Sequence, residues 1–199
     1  MEGEEVCSDV GNGETGGSFQ AVALDVLGIV RTNPDSRAFV ELDGCQFKRM
    51  FVAFGASLNG FILGCRKISF VDVTHLSGPY KGTMLAAVAL DADNHIFDAA
   101  YVVVGGEIND NWLWFLTMLH DCLGGLKPAI MSDRNKGLLA IVPLVFRKEN
   151  HSYCMRHLME NLMGEASKLG IRVMHRRSSC RICSTKLLMQ QLRLNMIVQ

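Results

Sequence analysis

Two aspartates that end apolar runs are the residues of this sequence best suited to chemistry. Asp72 closes the run "KISFVD" and Asp133 closes "PAIMSD". Two carboxylates a few ångströms apart repel each other when ionised, unless a cation lies between them. Mg²⁺ prefers oxygen ligands and keeps several waters, so one or two Asp together with substrate phosphate oxygens suit it. If the fold brings these two side chains together, they could bind Mg²⁺ or Mn²⁺ for phosphodiester cleavage.

Each acid also has a structural explanation. Asp133 lies just before a helix predicted to begin near Lys136 and could cap it, and Asp72 could form an Asx turn. A third acid, Glu107 in "GGEINDNW", could point toward the other two. We favour a role for Glu107 at the start of the following helix, where the helix dipole stabilises a negative charge. On spacing alone, we favour the structural explanation over metal binding at the two aspartates.

A second pattern concerns metal ligands of another kind. Cys154-x-x-His157 in "YCMRHL" and Cys180-x-x-Cys183 in "SSCRICS" could together supply four ligands to Zn²⁺. A buried Cys hydrogen-bonded to a His is the more common arrangement, and from the spacing we prefer it for the first pair. The chain has seven cysteines without a regular framework, so we expect thiols or metal ligands in a reducing compartment rather than disulfides.

The order of secondary-structure elements determines whether the two aspartates can meet. "KISFVD", "GTMLAAVALD" and "IFDAAYVVVGG" read as three strands joined by short turns and therefore antiparallel. A helix over "NDNWLWFLTMLHDCLGG" follows, capped by Asn109 or Asp110, and then the strand "PAIMSD". A helix from Lys136 to Val142 that ends at Pro143, a short strand "NHSYCM" and a helix "RHLMENLMGEASKLG" complete the series. This order predicts an α/β fold with a ribonuclease-H-like mixed sheet, in which the first and fourth strands are neighbours and Asp72 and Asp133 end side by side.

The composition divides the chain into four segments. Residues 1–18 are acidic and Gly-rich and are predicted to be disordered. Residues 19–66 form a lead-in with an apolar helix and a hairpin that turns at Asp43-Gly44. Residues 67–165 hold the strands and helices described above, and residues 166–199 form a basic tail.

Charge and hydropathy indicate which kinds of partner the protein could bind. The formal net charge is zero, which argues against a surface that clamps nucleic acid everywhere. Residues 147–199, however, carry ten Lys and Arg against three Glu, and this excess could contact phosphates or could simply be a solvated helical surface. The sequence shows neither a signal peptide nor an apolar stretch that could span a bilayer, so we expect no membrane partner and a location in the cytosol or nucleus.

Several stretches together resemble the catalytic domain of plant Mutator-like (MULE) transposases. They are "FVDVTHLSGPYKGTMLAAVALDADNHIFDAAYVVVGGEINDNWLWFLTMLHDCLGG", "IMSDRNKGLLAIVPLVF" and "HSYCMRHLMENL". The resemblance covers roughly residues 47–162. It implies a ribonuclease-H-like fold, DNA as partner, the nucleus as location, and strand cleavage and transfer by an Asp-Asp-Glu triad with Mg²⁺ or Mn²⁺. Asp72 matches the first acid, Asp133 the second, and Cys154 with His157 the family's Cys-x-x-His motif.

The sequence departs from the family at two points. Val73 stands where the family usually has Gly, and the third acid lies beyond a helical insertion that this chain does not reach. We therefore expect a domain that is incomplete at its C-terminus, with little or no transposase activity. A homo-oligomer or a full-length transposase partner could supply what is missing. The alternative is a domesticated, non-catalytic nuclear factor that binds DNA or a protein.

Overall fold

The computed structural model describes residues 16–44, 46–77 and 82–169, with side chains from Leu24 onward. These residues form a seven-stranded mixed sheet with five α-helices, so the predicted α/β class is confirmed. The helices are α1 (Gly16–Thr32), α2 (Gly55–Gly64), α3 (Asn109–Cys122), α4 (Lys136–Phe146) and α5 (Met155–Lys168). The strands are β1 (Arg37–Asp43), β2 (Gln46–Ala53), β3 (Ile68–Leu76), β4 (Gly82–Leu90), β5 (Ile96–Val104), β6 (Ala129–Ser132) and β7 (His151–Tyr153).

The strand order in the sheet is β1-β2-β5-β4-β3-β6-β7. Strands β3, β4 and β5 pair antiparallel through short turns, as the sequence predicts. β6 pairs parallel with β3, and β7 parallel with β6, because α3 and α4 return the chain to the same edge of the sheet before each of these strands. The predicted contact between the first and fourth strands of this unit, β3 and β6, is therefore confirmed. The hairpin β1–β2 extends the sheet beyond β5.

The main core lies on one face of the sheet, between the strands and α2, α3 and α4. Trp112, Phe115, Leu138 and Phe146 are almost completely buried there. β4 is buried along nearly its whole length, as its continuous apolar sequence predicts. Because side chains alternate between the faces of a strand, and Val71 of β3 belongs to this core, its neighbours in sequence point to the opposite face.

Three predicted details are wrong. Pro143 does not end α4, which continues to Phe146, because burial of the apolar face that ends in Phe146 offsets the hydrogen bond that proline cannot donate. Neither Asn109 nor Asp110 caps α3; the N-cap is Ile108, which makes no side-chain cap hydrogen bond. The hairpin turn begins one residue later than predicted, since Asp43 still pairs with Gln46 in the sheet and Gly44, at φ +59°, is the first residue after β1.

Helix α2 is an element that the sequence analysis missed. Its ten residues, "GASLNGFILG", contain three glycines and no charge, so they carry little helical periodicity. Leu58 and Phe61 nevertheless pack into the core. Tertiary burial, rather than local propensity, explains this helix.

Some expectations concern residues outside the described part of the chain. They include most of the segment predicted to be disordered, of which residues 16–18 belong to α1, nearly all of the basic tail, and the pair Cys180 and Cys183. Within the described residues, none of the helices has both the length and the apolar character needed to cross a membrane.

Candidate functional site

Asp72 lies in β3, and Asp133 directly follows β6, the strand that pairs parallel with β3. Phe70 of β3 pairs with Met131 of β6, and each aspartate is two residues beyond its member of that pair. Continued past the end of β6, this register would place the two aspartates in one row, on the face opposite the α3–α4 core, at strands roughly 4.8 Å apart. Val73 has no positive φ and pairs as an ordinary strand residue with Leu85, so the β-branched side chain fits where the resembling family has Gly.

Each carboxylate has one oxygen bonded to the backbone. Oδ1 of Asp72 accepts from the Val73 N–H at 2.9 Å, and Oδ1 of Asp133 accepts from the Asn135 N–H at 3.0 Å. The Asx contact considered for Asp72 thus occurs at Asp133, and the cap considered for Asp133 is Asn135, whose side chain accepts from the Gly137 N–H at 2.7 Å. These bonds fix the orientation of both carboxylates and leave Oδ2 as the atom available for other partners.

The partner of Oδ2 of Asp72 is Arg156, in the first turn of α5. The guanidinium Nη2 lies 3.3 Å from Oδ2, and the side chains of Arg156 and Asp72 are only 9% and 17% exposed. For Oδ2 of Asp133, the described part of the chain provides no hydrogen bond or ion pair. Sequence analysis missed Arg156, whose single visible signal is its place inside the Cys-x-x-His motif.

Cys154 and His157 flank this arginine and interact with each other. The His157 side chain lowers the pKa of the Cys154 thiol to about 7, and the thiol in turn raises the pKa of His157. The Cys154 N–H donates to the Ser132 carbonyl at 2.7 Å, which holds the start of α5 against the end of β6. Among the described residues, no group of three His, Cys, Asp or Glu side chains could hold a metal ion, so a zinc site of four ligands is not assembled there.

Ser132, the last residue of β6, makes further contacts at this end of the strand. Its Oγ lies 2.8 Å from Nε2 of His151 on β7 and 2.7 Å from the Asp133 carbonyl oxygen. Burial lowers the pKa of His151 and so favours the neutral imidazole. This contact stabilises the point at which the chain leaves the sheet and turns into Asp133.

Glu107 connects the loop between β5 and α3 with the loop between β6 and α4, at the end of the sheet where these strands end. Its Oε1 accepts from Nε1 of Trp112 at 3.2 Å and from Nδ2 of Asn135 at 2.8 Å. The side chain therefore bonds to the start of α3, as favoured from the sequence, and also to the residue that caps α4. With His75, Thr83, Gly105 and neighbouring residues, Glu107 also lines an open cleft of about 660 Å³ at this edge.

Comparison with known protein families finds a match to the part of the chain that holds these residues. Residues 68–161, which run from the start of β3 into α5, match the family model described as the MULE transposase domain. Among curated proteins, the search finds no match to the chain. The matched segment contains both aspartates, Glu107 and the Cys154–His157 pair. Residues 68–161 of this chain are therefore similar to the MULE transposase domain.

Proposed function

We propose that residues 67–165 form a ribonuclease-H-like transposase core whose ancestral chemistry is metal-dependent cleavage and transfer of DNA strands. In this proposal Asp72 and Asp133 are the ligands of Mg²⁺ or Mn²⁺. The observation that carries it is the parallel register of β3 and β6, which aligns Asp72 with Asp133, the residue directly after β6, inside the matched domain. Three antiparallel strands followed by two parallel ones support the fold assignment.

The donor atoms fit a hard divalent cation. Carboxylate oxygens are the ligands that Mg²⁺ prefers, and the cation keeps waters in its remaining positions. The contact of Asp72 with Arg156 shows that its carboxylate already attracts a positive group. When bound, the cation would supply electrostatic stabilisation to phosphate oxygens. The chain itself contributes two carboxylates, each oriented by a backbone N–H.

We further propose that the 199-residue chain has little or no cleavage activity of its own. No third acid joins the two aspartates in a metal-binding group within the described residues. Glu107 is committed to Trp112 and Asn135, and Glu160 pairs with Arg156 at 3.6 Å while its own side chain is 53% exposed. Zinc binding at Cys154 and His157 would need two further ligands, for which Cys180 and Cys183 are the candidates in the sequence.

Metal binding by the purified chain tests this proposal. We expect saturable Mn²⁺ binding by calorimetry, in the millimolar range or tighter, that is lost in both Asp72→Asn and Asp133→Asn. Asp93→Asn is the matched control, because Asp93 is exposed in the turn between β4 and β5, at the opposite edge of the sheet. Binding that survives both site substitutions, or no binding by a folded protein, would refute the assignment of these ligands.

A second function, a non-catalytic nuclear factor that binds DNA or protein, is favoured by the contact of Arg156 with the first acid. A guanidinium at Asp72 neutralises this carboxylate without a metal, so the fold could persist after catalysis is lost. The other nine basic residues of 147–199 would then contact DNA phosphates. In this case DNA affinity should fall steeply with salt concentration and should be unchanged in Asp72→Asn. A flat salt dependence would contradict phosphate binding.

A further inference from the structure

Arg156 is a buried cation with an incomplete set of partners. Its Nη2 lies 3.3 Å from Oδ2 of Asp72 and 2.7 Å from Nε2 of His157, and its Nη1 lies 3.6 Å from Oε1 of Glu160. The side chain is only 9% exposed, and its Nε is buried without a hydrogen-bond partner. An arginine that is merely structural usually satisfies its donors when buried. The Asp72 contact is therefore the main compensation for burying this charge.

The positive charge of Arg156 is permanent, whereas the site opposite it is proposed to take a divalent cation. Both positive groups would share the carboxylate of Asp72, whose Oδ1 accepts the Val73 N–H and whose Oδ2 contacts Arg156. Two cations at one carboxylate oxygen repel each other. The guanidinium at this position therefore opposes binding of a metal ion, and moving it away would favour binding. Glu160, one helical turn further along α5 and about half exposed, is the acid that can receive it.

We propose that Arg156 is a built-in counter-cation that competes with the divalent ion for Asp72 and thereby weakens metal binding by this chain. This inference rests on the proposed metal site at Asp72 and Asp133. It makes Arg156 a positioning residue that acts through Asp72. The proposal also predicts a higher metal affinity when the guanidinium is removed, because the competing cation is then absent.

The test measures Mn²⁺ affinity of the full 199-residue chain by calorimetry. Arg156→Gln should bind Mn²⁺ about tenfold more tightly than the unsubstituted chain, because the ion pair no longer has to be broken. Arg156→Lys, which keeps the charge, should stay close to the unsubstituted affinity. Lys48→Gln is the control for net charge, since Lys48 pairs with Glu41 on the β1–β2 hairpin and its side chain is 43% exposed. If Arg156→Gln does not fold, Arg156→Leu replaces the buried stem without charge and serves the same comparison.

A second measurement separates failure of the inference from failure of the proposed function. The inference is overturned if Asp72→Asn abolishes Mn²⁺ binding but Arg156→Gln leaves it unchanged or weakens it. The proposed metal site, and the inference with it, is overturned if neither the unsubstituted chain nor Arg156→Gln binds Mn²⁺. A double-mutant cycle between Asp72→Asn and Arg156→Gln, followed by thermal unfolding without metal, should show favourable coupling. Absence of coupling would also overturn the inference, because Arg156 would then not be held by Asp72.

Discussion

Glu107 is predicted to be a structural connector rather than the third metal ligand, and substitution separates these roles. Both of its hydrogen bonds end on the same atom, Oε1. A glutamine can present one carbonyl oxygen at that point, so Glu107→Gln should keep both bonds. Glu107→Ala removes both. The two substitutions are therefore expected to differ strongly in stability.

The magnitude follows from the two donors. Nε1 of Trp112 belongs to a side chain that is 1% exposed, so losing its acceptor leaves a buried N–H unsatisfied, at a cost of about 2 kcal/mol. Asn135 is half-buried and can bond to water instead, so its loss costs about 1 kcal/mol. Glu107→Ala should thus lower the free energy of unfolding by about 3 kcal/mol, whereas Glu107→Gln should lower it by less than about 1 kcal/mol, the loss of charge assistance.

Urea denaturation measures these differences, with Mn²⁺ calorimetry on the same samples. Glu149→Ala is the control, because Glu149 is exposed in the turn before β7 and should change stability by no more than about 0.5 kcal/mol. Glu107→Gln should leave Mn²⁺ affinity unchanged. The reasoning is refuted if Glu107→Gln is as destabilising as Glu107→Ala. Loss of Mn²⁺ binding in a stable Glu107→Gln variant would identify Glu107 as a ligand and refute the connector role.

Two further predictions concern the motif cysteine and the missed helix. Because His157 lowers the pKa of Cys154 to about 7, alkylation of Cys154 followed by mass spectrometry should reach its half-maximal rate near pH 7. His157→Ala should shift that midpoint upward toward the ordinary thiol pKa, and an unchanged midpoint would contradict the assigned cause. In α2, a Cβ at Gly60 would lie 2.5 Å from the ring of Phe97, whereas one at Gly64 meets nothing within 4 Å. Gly60→Ala should therefore lower the free energy of unfolding by about 1–2 kcal/mol and Gly64→Ala should be neutral or slightly stabilising, and equal effects would refute the predicted clash.

The sheet could be predicted because its signals are local. Each of β3, β4 and β5 is an apolar run bounded by turn residues, and the short links between them allow only antiparallel pairing. The placement of Asp72 in β3 and of Asp133 just after the neighbouring β6 then follows from the order of elements alone. The end of α4 could not be predicted, since the local signal of Pro143 opposes the burial of Phe146, and only the folded core shows which effect is larger.

The charge environment of the site could not be read from the sequence. Asp72 and Arg156 are 84 residues apart, and no periodicity or spacing rule connects two such positions. The same holds for Glu107 and Asn135, which are 28 residues apart and meet only because α3 and α4 begin at the same edge of the sheet. Residue type identifies the candidate acids, but their partners depend on strand register.

Strand register also connects the Cys-x-x-His motif to the acids. Ser132 of β6 pairs with Tyr153 of β7, so Asp133 and Cys154 are each the next residue along neighbouring strands. The row that holds Asp72 and Asp133 therefore continues to Cys154, where α5 begins. Starting a helix at this point brings Arg156 and His157 over the same face of the sheet. The pKa of His157 is raised first by Cys154 and also by the charge of Asp72, so the motif is electrostatically coupled to the first aspartate. A change of charge at Asp72, whether by substitution or by cation binding, should consequently be detectable in the titration of His157, 85 residues away in sequence.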